Sequence, residues 1–559
     1  SNSTSSAVGE AAALRFAAQQ GLEEIAKERQ DLINAWGALA ALVVRSQTMG
    51  SQDSDRQFDP RERLGQIEAR IAEIDAELAA KAPKFFAILN QDLFSVFGLQ
   101  MSQNGSYGQS EVLNVEALTG NKFECADAYN KYRTIPEWRI RSLRLCLLRS
   151  VLEEDEALLF LVPSERGTHT FAFSADAVAW ERADLDQDAI RDAIEEFRLG
   201  LEIQGGDASL PLFDFDLAHR LYKDLIAPVE TALSGKRRLY VVADGALSRL
   251  PLGTLVASPV EEGADPDNPE VLRSASWLAD RYALVQLPSV QSLVYIREFA
   301  SEGQALTGPG FTGFGAPLLD GAAKLRGARS ATIEAIDAAS LLSGLRGGEA
   351  NTPLMNPTAL RKLSSLPGTA GELEQVRKSL GASREALFLA ERMTESSIRS
   401  TDLSSTRILH LATHGFTSEE SGATAEPGLV FTPPIEATVD DDGYLAASEV
   451  VALDLSLAEW VILSACNTAS PSGKPGETGL SGLAQAFFFA GAQSLLVSHW
   501  PVFDDIAPIL TVETLKLSQA GEGRAEALQA AMRLVRNDPA LDAAHPAVWA
   551  PFTLVGEGR

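Results

Sequence analysis

The chain has 559 residues, and its 48 lysines and arginines against 76 aspartates and glutamates give a formal net charge of −28. This balance argues against nucleic-acid binding, because phosphate contacts require clustered positive charge. At about 150 residues per domain, the length predicts several domains with large hydrophobic cores.

The cysteine content indicates the compartment and excludes several kinds of site. Three cysteines cannot form a disulfide framework, and no cysteine or histidine spacing is typical of a metal site. We therefore expect neither a metal nor a cofactor, and a reducing, cytoplasmic compartment. The sequence contains no apolar run of membrane-spanning length and no N-terminal signal-peptide pattern, so no membrane contact is expected.

Residues 1–150 are predicted to form a helical N-terminal region. Apolar residues recur at helical spacing in 22–43 and in 64–78, and the polar stretch 46–60 separates the two. Two antiparallel helices would bury one apolar seam, which favours an αα-hairpin. Its surface is either a docking site for a regulatory protein or a helical cap alone, and the pattern leaves both interpretations open.

Residues 151–350 are predicted to form an α/β half. Three short β-rich runs from residue 156 onward are typical of an antiparallel meander, and a helix over 217–233 precedes a buried strand at 238–243. The sequence at 308–313 matches the GxGxxG pattern of dinucleotide-binding loops. Pro309 removes a backbone N–H there, so we expect no nucleotide at this loop.

Residues 351–559 are predicted to form a second α/β unit with a mainly parallel sheet covered on both faces by helices. The predicted strands are 407–412, 460–465, 494–497 and 552–555, and the predicted helices are 371–380, 480–490, 506–518 and 524–535. In such sheets, the chemistry lies just past the carboxyl ends of the strands.

A candidate nucleophile and a candidate base follow two of these strands. His414 comes after strand 407–412, and Cys466 comes after strand 460–465. A thiol becomes a useful nucleophile when a neighbouring imidazole accepts its proton. The amides of Gly415 and Cys466 are then candidate donors to an oxyanion. A buried core thiol is the alternative for Cys466, but the paired strand-end positions favour the site.

Three ordered motifs carry a resemblance to a known family. They are HLATHG at 410–415, ILSACNTA at 462–469 and GLSGLAQAFFFAGAQSLLVSHWPVFDD at 479–505. These motifs resemble the CHAT-type caspase-like cysteine peptidases of clan CD, which includes caspases, separases and gingipains. Further similar sequence motifs extend the resemblance to roughly residues 217–556. Tetratricopeptide repeats precede the domain in many members, but no 34-residue period occurs here.

The resemblance implies roles for individual residues. It makes Cys466 the nucleophile, His414 the general base and acid, and the amides of Gly415 and Cys466 the oxyanion hole. It also implies that 151–350 is a pseudo-caspase half that braces a catalytic half at 351–559.

In separases, a tryptophan followed four residues later by an aspartate receives a basic P1 side chain. Trp500 and Asp504 have that spacing here, and Asp505 is a second candidate for the S1 site. The alternative for Asp504 is an N-cap of the helix from 506 onward.

Two other histidines near the motifs have less specific interpretations. His410 and His414 have i, i+4 spacing, but the surrounding apolar residues indicate a strand, so His410 is predicted to be a hydrogen-bonded core residue rather than a metal ligand. His499 either lines the cleft or packs in the core.

The sequence therefore predicts a bacterial-type cysteine endopeptidase that cleaves a protein substrate after a basic P1 residue and is regulated by a partner or by loop ordering. Acidic residues near the cleft would attract basic peptide segments. The alternative, from a different functional class, is a catalytically silent caspase-like scaffold that binds protein partners. An intact Cys466 and His414 favour the enzyme.

Overall fold

A computed structural model describes most of the chain from residue 151 onward. The described residues are 151–202, 210–288, 310–321, 354–416, 427–464 and 482–559, together with Ile25, Glu28, Leu32, Ile67, Arg70, Glu73, Ile74, Glu77, Ser292, Leu293 and Arg297. The chain divides into two compact units, one formed mainly by residues 4–95 and the other mainly by residues 96–559.

The smaller unit contains two helical stretches that touch. The Arg70 guanidinium donates to both carboxylate oxygens of Glu28, at 2.8 and 3.0 Å, across 42 residues of sequence. Ile67 and Ile74, from the predicted apolar seam, are helical and buried. The antiparallel direction of the hairpin and its boundary at residue 150 fall outside the described residues and stay predictions.

The larger unit contains two sheets. Their strands are β1 (Glu156–Ser164), β2 (Gly167–Ser174), β3 (Val178–Ala183), β4 (Arg238–Ala243), β5 (Ala283–Gln286), β6 (Phe311–Gly315), β7 (Leu387–Leu389), β8 (Ile408–Ala412), β9 (Gly415–Phe416), β10 (Gly428–Val430), β11 (Tyr444–Ala446), β12 (Trp460–Leu463), β13 (Ser494–Ser498) and β14 (Phe552–Gly556).

Helices connect and cover these strands. The helices are α1 (Gln187–Leu199), α2 (Phe215–Leu225), α3 (Glu230–Leu233), α4 (Pro269–Ser274), α5 (Leu278–Arg281), α6 (Pro357–Arg361), α7 (Gly368–Ser379), α8 (Glu395–Ser400), α9 (Ala447–Val450), α10 (Gly482–Phe489), α11 (Ala507–Gln519), α12 (Arg524–Asn537) and α13 (Pro546–Trp549). Among the helices of the described ranges, none is long and apolar enough to cross a membrane.

The main sheet has eleven strands in the order β3-β2-β1-β4-β5-β14-β13-β12-β8-β6-β7. Within the described residues, seven of its ten neighbouring pairs are parallel. The predicted class, an α/β fold with a mainly parallel sheet flanked by helices, is therefore confirmed. The predicted meander is also confirmed, because β1, β2 and β3 pair antiparallel.

One continuous sheet runs through both predicted halves. Strand β5 pairs parallel with β14, the last strand of the chain, and β6 lies between β8 and β7. The predicted domain boundary at residue 350 lies outside the described residues, so it stays a prediction. Residues on both sides of it nevertheless contribute strands to the same sheet.

Unbroken apolar sequences explain why the central strands form. All residues of β8, β12 and β13 are buried, and each fully buried aliphatic side chain contributes roughly 1.5–3 kcal/mol relative to exposure. Successive residues of a strand point to opposite faces. Leu409 and Leu411 pack in one core with Phe487 of α10, whereas His410 contacts α7 on the other face. Helices thus cover both faces, as predicted.

The sequence predicted local structure incompletely in two places. The helical stretch predicted over 217–233 consists of α2 and α3, separated by a 3₁₀ turn at Ala227–Val229, where Pro228 lacks an N–H. The glycine-rich 308–313 stretch was not predicted to contain a strand, yet its last residues begin β6. Gly315 allows close packing there, because a Cβ on it would lie 2.5 Å from Leu373 of α7.

Candidate active site

The strands that precede the two predicted catalytic residues are parallel neighbours. The register of β8 and β12 pairs Leu411 with Leu463, and the Ser464 N–H continues the ladder by donating to the Leu411 carbonyl at 2.9 Å. The carboxyl ends of both strands therefore lie at the same edge of the sheet, as predicted from the sequence.

His414 follows β8 and is half-buried. Its Nε2 lies 2.7 Å from the main-chain oxygen of Ser364, 50 residues earlier in the chain. A carbonyl oxygen only accepts, so Nε2 carries a proton and donates it to Ser364. In the neutral ring, Nδ1 is then the nitrogen that can take up a proton. The contact fixes both the orientation of the ring and its tautomer, which a general base requires.

The segment that carries Ser364 is itself held at both ends. Ser364 pairs with Gly321 in a parallel β-bridge beyond the end of β6. Thr369, in the first turn of α7, donates its hydroxyl to the Leu366 carbonyl at 2.7 Å and accepts from the Ala316 N–H at 3.0 Å. The Ser364 carbonyl is thus presented to His414 by a fixed turn between α6 and α7.

The backbone on either side of His414 is fixed by β10. The Val430 N–H donates to the His414 carbonyl at 2.9 Å, and the Thr413 hydroxyl donates to the Val430 carbonyl at 2.6 Å. These contacts anchor His414 to the small sheet, which has the order β11-β10-β9.

Gly415 lies in β9, where its register decides the direction of its amide. Leu429 faces Gly415 across the antiparallel pair, and the neighbouring pair at His414 and Val430 is hydrogen-bonded. Hydrogen-bonded and non-hydrogen-bonded pairs alternate along an antiparallel ladder. The Gly415 N–H therefore points away from β10, as a donor to an external oxyanion must.

A buried pair lies under this edge on the α7 face of the sheet. His410 Nε2 is 3.0 Å from Glu372 Oε1 of α7, and both side chains are 0% exposed. His410 is therefore a hydrogen-bonded core residue, which confirms the prediction from its strand position. The pair ties α7 to β8 four residues before His414.

Cys466 lies outside the described residues. From their glycine-, proline-, serine- and glutamate-rich sequences we also expect two loops, 417–428 and 469–479, to form the cleft, and the first of these except residues 427 and 428, and all of the second, lie outside the described residues. The separation of Cys466 in sequence from the described end of β12 can still be compared with that of His414 from the end of β8. His414 is three residues past Leu411, and Cys466 is three residues past Leu463, the register partner of Leu411. The dyad itself stays a prediction.

The predicted S1 residues lie after β13, the neighbour of β12. Trp500 is 2% exposed, stacks on His499 with ring centroids 5.8 Å apart, and donates its indole N–H to the Ala547 carbonyl at 2.8 Å. Asp504 is half-buried and Asp505 is exposed. The cap position of α11 is Ile506, so the alternative that Asp504 is the N-cap of that helix was wrong.

His499 packs in the core instead of lining a cleft beside His414. It is 3% exposed, and burial, with a smaller contribution from the nearby charge of Arg198, lowers the pKa of His499 to about 3. Arg198 of α1 donates to the His499 carbonyl at 3.0 Å. His499 is therefore neutral at physiological pH, and its main-chain oxygen is hydrogen-bonded to helix α1.

Sequence reasoning missed Ser364, Val430 and Glu372, which hold His414 and its strand. Ser364 and Val430 act through main-chain atoms, which leave no signal in residue identity. Glu372 lies in the predicted helix 371–380, but the sequence gives no indication that it faces His410.

Comparisons with known proteins identify the family of this chain. The CHAT domain matches residues 216–557. Tetratricopeptide repeat protein 28 of Mus musculus is 27% identical over 372 residues, and its Homo sapiens counterpart is 26% identical over 374. Each match covers 63% of this chain but only 14% of the relative, so the chain spans a small part of these proteins.

Two solved structures are similar in fold. The Saccharomyces cerevisiae separase–securin complex gives a TM-score of 0.40 at 7% identity, covering 96% of this chain and 41% of that chain. The Arg-specific cysteine proteinase gingipain R gives a TM-score of 0.30 at 8% identity, covering 73% of this chain and 78% of that chain. The domain match spans more than half of the residues, and the chain belongs to the CHAT domain family.

Proposed function

We propose that the chain is a cysteine endopeptidase that cleaves protein substrates with a Cys466–His414 dyad. The observation that carries the proposal is the 2.7 Å contact of His414 Nε2 with the Ser364 carbonyl. Nδ1 is then the proposed base, and the proposed nucleophile Cys466 follows the neighbouring strand β12 in the sequence. The family resemblance of both motifs supports the same assignment.

The reaction follows from these positions. His414 Nδ1 takes the proton of the Cys466 thiol, and the thiolate attacks the scissile carbonyl. The Gly415 and Cys466 amides donate to the oxyanion. His414 then gives the proton to the leaving amine, and water hydrolyses the thioester. Throughout, the Ser364 carbonyl accepts from Nε2 and stabilises the imidazolium, a role that needs no third carboxylate.

Substrate selection is proposed to favour a basic P1 residue. Asp504 and Asp505 supply carboxylates after β13, and the buried Trp500 is the third residue proposed for S1. A P1 cation that reaches half-buried Asp504 would pair with it, and such charge-assisted contacts are stronger than neutral ones. Activity is further proposed to depend on ordering of the cleft loops or on a regulatory protein bound by the N-terminal helices.

Covalent labelling tests the dyad directly. We expect a peptide chloromethyl ketone with arginine at P1 to add one equivalent to the wild type, as a thioether on Cys466, detected by intact mass and peptide mapping. Cys466→Ala should give no adduct, and His414→Gln should slow labelling by about 10²-fold or more, the range expected for loss of a general base.

Two other cysteines supply matched controls. Cys125→Ala and Cys146→Ala should label at the wild-type rate, because in the sequence both precede residue 151 and lie outside the stretch that carries the family resemblance. Failure of the wild type to label, or equal labelling of Cys466→Ala, would favour the silent scaffold that binds partners through the same fold.

Salt should weaken the attraction of basic substrates. Asp505, next to the proposed S1 residue Asp504, and Asp440, in the segment before β11, are exposed acidic residues, and the formal charge of the chain is −28. We expect the labelling rate with the arginine probe to fall about 3- to 10-fold as ionic strength rises from 0.02 to 0.5 M. A norleucine probe, which is uncharged, serves as the control, and an equal response of the two probes would contradict electrostatic steering.

A further inference from the structure

Asp504 lies against the first residue of α7. A Cβ built on Gly368 would be 2.3 Å from the Asp504 Cγ and 2.5 Å from each of its carboxylate oxygens. Only glycine at position 368 therefore lets the carboxylate come this close. Pro367, which precedes α7, has no side-chain oxygen with which to cap the helix, so the anion at this end comes from a residue 137 positions later.

The position of this carboxylate has a clear electrostatic effect. The first N–H groups of a helix have no partner within the helix, and the aligned peptide dipoles place partial positive charge there. A carboxylate at this end stabilises the start of the helix. Asp504 thus links the segment after β13 to the beginning of α7.

The same end of α7 controls the contact that orients His414. Ser364 lies four residues before Gly368, and the hydroxyl of Thr369, the second residue of α7, fixes the turn between them through the Leu366 carbonyl. One turn further on, Glu372 of α7 holds His410 on β8. A shift of the α7 N-terminus would therefore move the Ser364 carbonyl relative to His414.

We propose that Asp504 is a positioning residue for His414, acting through the N-terminus of α7 and the Ser364 carbonyl. The catalytic consequence rests on the proposed function, whereas the effect on the His414 ring does not. The proposal also separates two roles of one carboxylate. A pure S1 role affects substrates with a basic P1 residue alone, whereas a positioning role affects every substrate.

Proton exchange at His414 tests the ring contact without any substrate. The chain has six histidines, so selective ¹⁵N-histidine labelling, with His414→Gln for assignment, isolates the Nε2 proton. In Asp504→Asn we expect this proton to exchange with solvent at least about tenfold faster, because the bond to Ser364 opens more often. Glu513→Gln removes one negative charge from α11, where Glu513 pairs with Lys516 of the same helix at 2.8 Å, and should leave the rate unchanged.

A pair of glycine substitutions provides a test that alters no charge. Gly368→Ala places a methyl group where the Asp504 carboxylate lies and should reproduce the faster exchange. Gly371→Ala is the matched control in the same helix, because among the described residues no atom lies within 4 Å of its added Cβ. Wild-type exchange in both Asp504→Asn and Gly368→Ala would overturn the proposal.

Kinetics distinguish this proposal from the proposed function. With positioning, kcat in Asp504→Asn should fall about 10- to 100-fold for both an arginine and a norleucine P1 substrate. A loss confined to the arginine substrate, mainly in KM, would assign Asp504 to S1 alone and overturn the positioning role. Faster exchange in a chain whose Cys466 never labels would reject the peptidase and retain the link from Asp504 to His414.

Discussion

Replacing Arg297 with methionine is expected to lower the free energy of unfolding of the larger unit by about 3–5 kcal/mol. The guanidinium forms a two-pronged pair with Glu156, at 2.6 and 2.8 Å. Its Nε donates to Glu557 at 3.0 Å, and Nη2 donates to the Tyr240 hydroxyl at 2.7 Å. The side chain is only 5% exposed, so methionine would leave two carboxylates buried without this counter-charge.

The pKa of Glu557 shows how strongly this carboxylate depends on Arg297. Burial raises the pKa, but the hydrogen bond and charge of Arg297 outweigh burial and lower it to about 2. A carboxyl group whose pKa is lower in the folded state than in the unfolded state stabilises the fold at any pH above its unfolded-state pKa. This stabilisation is lost as the pH falls through its folded-state pKa. The difference between wild type and Arg297→Met should therefore be largest near neutral pH and shrink below about pH 4.

A second arginine on the same carboxylate supplies the control. Arg559 lies 3.5 Å from Glu557 but is 46% exposed, and exposed pairs contribute about 0–1 kcal/mol. Urea unfolding, followed by tryptophan fluorescence and by circular dichroism to check for one transition, compares the two methionine variants. Arg297→Lys keeps the positive charge but lacks the planar guanidinium with its several N–H donors, so its loss in free energy of unfolding should lie between those of Arg559→Met and Arg297→Met. Equal losses for Arg297→Met and Arg559→Met would contradict a central role for the network.

This network illustrates which parts of the fold the sequence can predict. Strands β4, β8, β12 and β13 were predictable, because each is an unbroken apolar run whose burial is decided by local composition. The pairing of Arg297 with Glu557 joins residues 260 positions apart, and no local pattern specifies it. The pairing of β5 with β14, which joins the two halves into one sheet, is likewise a long-range contact that no local sequence pattern specifies.

Strand β6 was missed for a related reason. Its sequence, FTGFG, contains two glycines, a residue depleted in strands, within a glycine-rich stretch. Gly313 and Gly315 are suited to this strand because Leu373 of α7 packs directly against them, which is a tertiary contact. At the site, His414 and Gly415 were predictable from their place after a strand, whereas the Ser364 carbonyl that orients His414 depends on the path of the main chain.

The stability of wild type is expected to fall between about pH 4.5 and pH 8, and Glu395→Gln should remove most of this fall. Glu395 of α8 is 1% exposed. Burial, and then the charge of Glu449, raise the pKa of Glu395 to about 8. Because the folded pKa is raised, the stabilisation is fully present below the unfolded pKa and is lost as the pH rises through the folded value.

The groups that face Glu395 come from three parts of the chain. The Asp442 N–H donates to Glu395 Oε2 at 3.0 Å, and Arg399 donates to Glu395 Oε1 at 3.1 Å and to Glu449 at 3.2 Å. Asp440 lies 3.9 Å from Arg399. One partly exposed arginine thus faces several carboxylates, and this imbalance favours a proton on Glu395.

Each pH unit that separates the unfolded and folded pKa values corresponds to about 1.4 kcal/mol. Multiplying this value by the whole pKa difference would overestimate the effect, because Glu395 titrates together with neighbouring acids. We therefore expect the free energy of unfolding to fall by roughly 2–3 kcal/mol between pH 4.5 and pH 8. Glutamine imitates the neutral carboxyl and should flatten the curve, at a constant cost of about 1 kcal/mol for one imperfect hydrogen bond.

Denaturation midpoints measured from pH 4.5 to pH 8.5 give the slope for each variant. The pKa of Asp442 is raised to about 6, mainly by burial. Because of this group, the stability of Glu395→Gln should still fall with pH below pH 6, but less steeply than that of the wild type. Glu391→Gln, an exposed glutamate four residues earlier in the chain, should keep the wild-type slope. If Glu395→Gln kept the wild-type slope, Glu395 would be ionised in the folded chain. Its carboxylate charge, and not a bound proton, would then stabilise the contact with the Asp442 N–H.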